Sequence, residues 1–325
     1  MLKHLVVVLF ICASHVSHAL PDDGTPKSGV DWLQAMKQAA STLDYQGVVA
    51  YIKDQQVDSF RLYHKIDGAH VRERLIAMNS PFREVIRTDG SISRYTGEGQ
   101  QIVVETRPSS QSVYLSLPDD PLLLGRYYRI NLMGQEYVAG MLAQVVALEP
   151  RDGFRYSRLL WIDAQSKLPL KLDVLDESGH SVEQMVFTTL TVSEPIKESD
   201  LLPSHGSQAA IARISHNESQ PLENLGWTLN KVPEGFQIVA YSRLKRPTAD
   251  QATEHVLLSD GFATISVYIE QGASSLAAGS RKVGAVNVKT LSSDGYTITV
   301  MGEVPLNTVN LIAEGLQKKK AITRP

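Results

Sequence analysis

The sequence predicts an α+β protein, mainly antiparallel β, built as two domains, and three observations carry this. Strand-like runs separated by Asp-Gly and similar turn pairs recur from Gly47 almost to the C-terminus. Clear helical periodicity is confined to residues 29–43 and to a stretch after Pro305. Residues 201–225 are polar and aperiodic, and they divide the strands into two sets. A length of 325 residues also favours two domains.

The N-terminal residues 1–19 read as a signal peptide. Lys3 and His4 precede an apolar run, Leu5 to Cys12, and Ser17-His18-Ala19 supplies small residues at a cleavage position. The run is far shorter than the roughly 20 residues that cross a bilayer. Cys12 is the only cysteine. Ile11 before it does not suit lipidation, so the expected mature chain has no thiol and no disulfide. The formal net charge of −3 becomes about −4 once Lys3 is removed, which argues against a nucleic-acid partner.

The first domain is expected over 28–200. Ser28 and Asp31 have capping-box spacing, and Val30, Leu33, Met36, Ala40 and Leu43 follow at helical intervals. Strands then alternate with short turns. GVVAYIK, VDSFRLYHKI and AHVRERLIAM are joined in part by Asp67-Gly68, and REVIRT and SISRYT by Asp89-Gly90. The segment from Thr96 to Gly99 is expected to turn the chain into QQIVVETRP. Asp119-Asp120-Pro121 is a helix-start signal, which predicts a helix through LLLGRYYRINLM. Strands return at MLAQVVALEP, RYSRLLWID, PLKLDVLD and SVEQMVFTTLTV.

A linker is expected over 201–225 and a smaller α+β domain over 226–320. Its strands are WTLNKV, FQIVAYSRL, HVLLS, ATISVYIE, VNVKTL and YTITVMGEV, with turns at Asp260-Gly261 and Asp294-Gly295. A closing helix, NTVNLIAEGLQKKK, places its lysines at the negative end of the helix dipole.

Catalytic chemistry is hard to find. The six histidines outside the signal show no metal spacing, no GxSxG occurs, and the SxxK at Ser242–Lys245 lies in a strand-like run. No cofactor or metal is expected. Glu73 shares a strand face with Val71 and Leu75; it is either a polar anchor at a ligand cavity or one half of a buried pair. Arg72 and Arg74, with Arg126 and Arg129 beside Tyr127-Tyr128, could meet anionic headgroups or an acidic partner, or simply keep strand faces soluble. The apolar segments Leu122–Leu124 and Met133–Met141 are candidates to line a cavity, though such residues are more often core.

Several blocks resemble the RseB/MucB family: YQGVVAY after the capped helix, VRERL, LLWIDAQSKLPLKLDVLDESGHSVEQMVFTTL, GWTLNKVPEGFQIV, HVLLSDGFATISVYIE and ITVMGEVPLNTVNLIAEGL. The likeness spans nearly the whole mature chain and is distributed, with no catalytic residues to transfer. It implies a large domain like the LolA and LolB carriers, a half-open β-barrel closed by helices around an apolar cavity. It further implies a periplasmic negative regulator that binds the periplasmic part of an RseA/MucA-like single-span anti-sigma factor and protects it from proteolysis. An envelope-stress sigma factor, alginate-type in one branch, would then stay inactive until lipid or lipopolysaccharide released the partner. On that basis Leu62, Glu73, Ile86, Val104, Leu123 and Met133 are the expected lipid-cavity residues. A homo-oligomer is left open. The alternative is a periplasmic lipid or lipoprotein carrier, which would use the same cavity but need no second domain.

Overall fold

The structure is a computed structural model and describes residues 26–68, 70–79, 83–88, 91–98, 101–108, 120–204, 210–215, 218–244, 252–272 and 278–319. The signal segment and the Asp89-Gly90 turn lie outside these residues.

Helix α1 (Gly29–Thr42) opens with the expected capping box: the Ser28 hydroxyl accepts from the Asp31 N–H, and the Asp31 carboxylate accepts from the Ser28 N–H. Its buried stripe is Trp32, Leu33, Met36 and Ala39, turned by about one residue from the expected one. The cause is Trp32, whose ring lies inward with the Lys167 ammonium 4.4 Å from its centre.

Strands β1 (Tyr45–Lys53), β2 (Gln56–Asp67), β3 (His70–Ala77), β4 (Arg83–Thr88), β5 (Ser91–Glu98) and β6 (Gln101–Pro108) form one antiparallel meander. Thr96 and Gly97 still belong to β5 and are not the turn itself. A second meander comprises β7 (Tyr128–Val138), β8 (Met141–Pro150), β9 (Ser157–Asp163), β10 (Pro169–Leu175) and β11 (Ser181–Val192). Antiparallel pairing of β1 with β11 fuses the two. With β12 (Ala210–Ser215) parallel to β6, the result is a 12-stranded sheet ordered β12-β6-β5-β4-β3-β2-β1-β11-β10-β9-β8-β7. Among the described residues β12 and β7 are its two edges, and the sheet is not closed into a barrel.

The predicted helix after Pro121 is a correction. A single 3-10 segment, Pro121–Arg126, leads directly into strand β7. Gly125 weakens a helix there, whereas the buried run Ala143–Leu148 of β8 offers a strand partner along nearly the whole length of YRINLMGQEYV. Among the described residues one α-helix, not several, therefore covers this face of the sheet. Trp32, Leu33 and Met36 pack on Leu124, Tyr128, Val146, Leu148, Leu160 and Ile162, while Ala39 meets Tyr45, Val49, Leu62, Met185 and Phe187. Each large side chain fully buried this way contributes roughly 1.5–3 kcal/mol.

The second sheet comprises β13 (Glu218–Ser219), β15 (Gln237–Leu244), β16 (Thr253–Ser259), β17 (Thr264–Gln271), β18 (Gly279–Val283), β19 (Val286–Ser293) and β20 (Tyr296–Gly302). Its order is β13-β15-β16-β17-β20-β19-β18. The turn at Asp294-Gly295 has φ of +50° and +78°, the two-residue hairpin geometry expected of that pair. Helix α2 (Leu306–Gly315) covers one face with Val309, Ile312 and Ala313. It stops at Gly315; Leu316–Lys318 is strand β21, paired with β14 (Trp227–Leu229). Lys318 and Lys319 thus lie beyond the helix, because burying Leu316 against the sheet outweighs a further helical turn. The polar stretch 201–225 carries β12 for one sheet and β13 for the other.

Candidate functional site: a charged seam and the sheet edges

Arg155, in the loop between β8 and β9, centres the contact between the two sheets. Its side chain and that of Asp260 are fully buried, and Nε donates to Asp260 Oδ2 at 2.6 Å. The other guanidinium hydrogens reach the Asp152 carboxylate and the Glu234 carbonyl. The guanidinium also stacks on Tyr127 and Phe236, 4.8 and 4.7 Å from the ring centres. Asp260 accepts in addition from the Tyr128 hydroxyl at 3.1 Å and from the N–H groups of Phe262 and Ala263 at 2.9 and 2.7 Å. Burial, then the Asp260 charge, raises the Tyr128 phenol well above its usual range. The Asp260-Gly261 turn, expected only to reverse the chain, is thus an anchor between the two sheets, and Phe262 packs into the core under α1.

A second group of charges lies farther along the seam. Arg158 on β9 faces Glu303, which follows β20, at 3.9 Å. Glu183 on β11 is pushed up to about 6, first by burial and then by the Glu303 charge; Tyr51, Lys53 and Arg158 partly offset this. Polar contacts complete the join: Gly284 N–H to Asp54 at 3.1 Å, Asn307 to the Gly153 carbonyl at 2.8 Å and Thr308 to the Phe154 carbonyl at 2.9 Å.

The sequence-predicted cavity residues do not converge on one place. Leu62 is in the core beneath α1. Glu73 is 0 % exposed and paired, with His64 Nδ1 at 2.8 Å and Arg87 at 3.3 Å, the buried-pair reading of that carboxylate. Ile86 is half-buried on β4. Val104 is on β6, and its side chain lies outside the described residues. Leu123 and Met133 are 50 % and 53 % exposed. Together with Leu122, Leu132 and Tyr137 they leave an apolar surface along the edge strand β7 and the 3-10 segment before it.

The arginines separate in the same way. Arg72 binds Glu198 at 2.6 Å, while buried Arg74 pairs with Glu84 and donates to the Asp200 carbonyl at 2.9 Å. Both tie the segment after β11 to the sheet. Arg129 lies 3.4 Å from Glu149 at the far end of the sheet, with Arg126 in the 3-10 segment nearby. Sequence reasoning missed Arg155 altogether: an arginine in a loop gives no signal of burial until its partners are placed.

The family assignment follows from comparison with known proteins. The MucB/RseB N-terminal domain matches residues 28–205, and the MucB/RseB C-terminal domain matches residues 221–317. The chain belongs to the MucB/RseB family. The sigma-E factor regulatory protein RseB of Escherichia coli K12 is 28% identical over 318 residues, 97% of this chain and 98% of that protein. The sigma factor AlgU regulatory protein MucB of Pseudomonas aeruginosa is 28% identical over 298 residues, 90% of this chain and 91% of MucB. A crystal structure of MucB in complex with MucA(peri) matches with a TM-score of 0.72 and 26% identity, covering 90% of this chain and all of that one. Among the described residues no helix is long and apolar enough to cross a membrane.

Proposed function

We propose that this protein is a periplasmic regulator that binds the periplasmic region of a membrane-spanning anti-sigma factor. By covering that region it protects the anti-sigma factor from proteolysis and keeps an envelope-stress sigma factor inactive. The observation that carries this is the match of both sheets, over 90% of the chain, to a MucB structure solved with a periplasmic piece of MucA. The signal-like N-terminus agrees with export. The extent of the charged seam agrees with a two-domain binder whose role is recognition, not catalysis.

Lipid or lipopolysaccharide is proposed to release the partner, by favouring an arrangement of the two sheets that binds the anti-sigma factor less well. The carrier alternative has no use for the second sheet. It also needs space on the face of the large sheet where α1 already lays Trp32, Leu33 and Met36.

The test is a pull-down by the mature protein of periplasmic segments from the host's single-span anti-sigma factors, with and without lipopolysaccharide. Capture of one segment, lost on adding lipid, is the expected result. Stoichiometric retention of acyl chains or lipoprotein with no segment captured would replace the regulator by the carrier.

A further inference from the structure

We propose that strand β18 is a docking edge for an extended acidic polypeptide segment, which pairs with its open backbone and sets carboxylates against Arg281 and Lys282. This rests on the reading of the protein as a partner-binding regulator and locates part of the contact.

Among the described residues strand β18 is the last of its sheet and pairs only with β19, and all five of its residues are exposed. An edge strand in that state leaves a row of N–H and C=O groups able to receive another strand. The sequence around it has one sign of charge. From Gln271 to Ser293 there are three cations, Arg281, Lys282 and Lys289, and no aspartate or glutamate. Among the described residues neither Arg281 nor Lys282 has an ion-pair contact, and Lys282 acts only at longer range on the Asp176 carboxylate. Successive strand residues face opposite ways, so each face of the edge presents one cation. The same charges oppose pairing with the β18 edge of a second copy, which would bring like charges together.

Beside the edge lies a cavity of about 290 Å³, lined by Arg281, Lys282, Asn287 and Leu306 on one bank and by Tyr156 and Glu177 of the large-sheet side on the other. Tyr156 is buried. Its hydroxyl accepts from Asn287 Nδ2 at 2.8 Å and, among the described residues, donates to no acceptor. Burial and the Glu177 charge push this phenol up to about 12, so it keeps its proton at neutral pH. One hydrogen-bond donor is therefore unspent at the cavity wall. Glu177 repels any carboxylate that enters, which keeps the acidic side chains out of the cavity and leaves them to meet Arg281 on one face of the edge and Lys282 on the other. The side chain entering the cavity is neutral and carries an acceptor for Tyr156. Because the two banks come from different sheets, the docked segment would span the seam.

The probe is the anti-sigma segment captured in the pull-down above, titrated against the mature protein with hydrogen exchange followed at residues 279–283. Exchange at those amides slows on binding, and R281E/K282E weakens binding about tenfold or more, while R281K/K282R retains it. Equal thermal melting of all three proteins confirms that only the edge has changed. If the wild type captures the segment but 279–283 exchange as before and R281E/K282E binds equally well, the edge proposal is overturned and the regulator stands. If the wild type captures no segment, the regulator reading fails, and this inference falls with it.

Discussion

Replacing Arg155 by methionine keeps much of the apolar stem between Tyr127 and Phe236 but removes the guanidinium from a site where Asp260 is fully buried. Removing one partner of a buried pair costs about 3–5 kcal/mol, chiefly because the other charge is stranded. Asp260 retains the Tyr128 hydroxyl and two backbone N–H groups, which places its share near the low end. The Glu234 carbonyl also loses its donor, at roughly 1 kcal/mol. Asp152 is partly exposed and can turn to water. The sum is a loss of about 4 kcal/mol, close to a thousandfold in the equilibrium that holds the sheets together. Urea unfolding read through tryptophan fluorescence measures it, because Trp227 sits in the small-sheet core and Trp32 in the large-sheet core. In single-tryptophan proteins the two reporters unfold together in the wild type and separate in R155M. R155M/D260N, which strands no charge, recovers at least about 2 kcal/mol. A loss below about 1 kcal/mol in R155M, with both reporters still coincident, would refute this account of the seam.

Two other predictions address the large sheet. Glu183 has a folded value of about 6 against an ordinary 4.5, so its ionised form costs stability above pH 6 and the cost vanishes below about 4.5. The wild type therefore gains stability on acidification from pH 7 to 4.5, by at most about 2 kcal/mol, and E183Q does not; parallel melting profiles for the two proteins would contradict it. At Gly47 on β1 an added methyl would lie 2.2 Å from the Thr189 carbonyl oxygen of β11, so G47A is expected to lose about 2–3 kcal/mol in urea unfolding. An unchanged midpoint would mean that the β1–β11 join yields more easily than the register implies.

Most of the fold was legible because its elements are decided locally. The capping box at Ser28, the apolar and β-branched runs of β8–β11 and the Asp-Gly turn before β20 all act within a few residues. What was missed was decided at longer range. YRINLMGQEYV has mixed propensity, and its strand exists because β8 pairs with it. GSRKV has no apolar alternation at all, and it becomes β18 through its register with β19. The candidate site was less legible for the same reason. Glu73 could be seen to face inward from its strand period, but not that His64 and Arg87, nine and fourteen residues away, would meet it. Leu123 and Met133 looked like cavity lining by composition alone; the 3-10 segment buries Leu124 and turns Leu123 outward.

The chemistry of the seam bears on how binding on one sheet could be felt by the other. A purely apolar join would tolerate many relative positions of the sheets, since dispersion and burial have little direction. Arg155 cannot do so: its hydrogens reach the 152–155 loop, the Glu234 carbonyl and Asp260 at once, so a shift of either sheet breaks several bonds together. Glu183 and Glu303 bring like charges to the same join, with Arg158 beside them to offset the repulsion. The seam is thus a directional clamp with a balanced group of charges beside it. Any second setting of the joint must give up the Arg155 bonds to Glu234 and Asp260 that hold the first. A ligand that changed the setting would have to differ in affinity between them by the energy of the clamp. R155M, by weakening the clamp, should therefore reduce the effect of lipopolysaccharide on partner capture more than it reduces capture itself. Equal losses of both would show that the lipid signal does not pass through the seam.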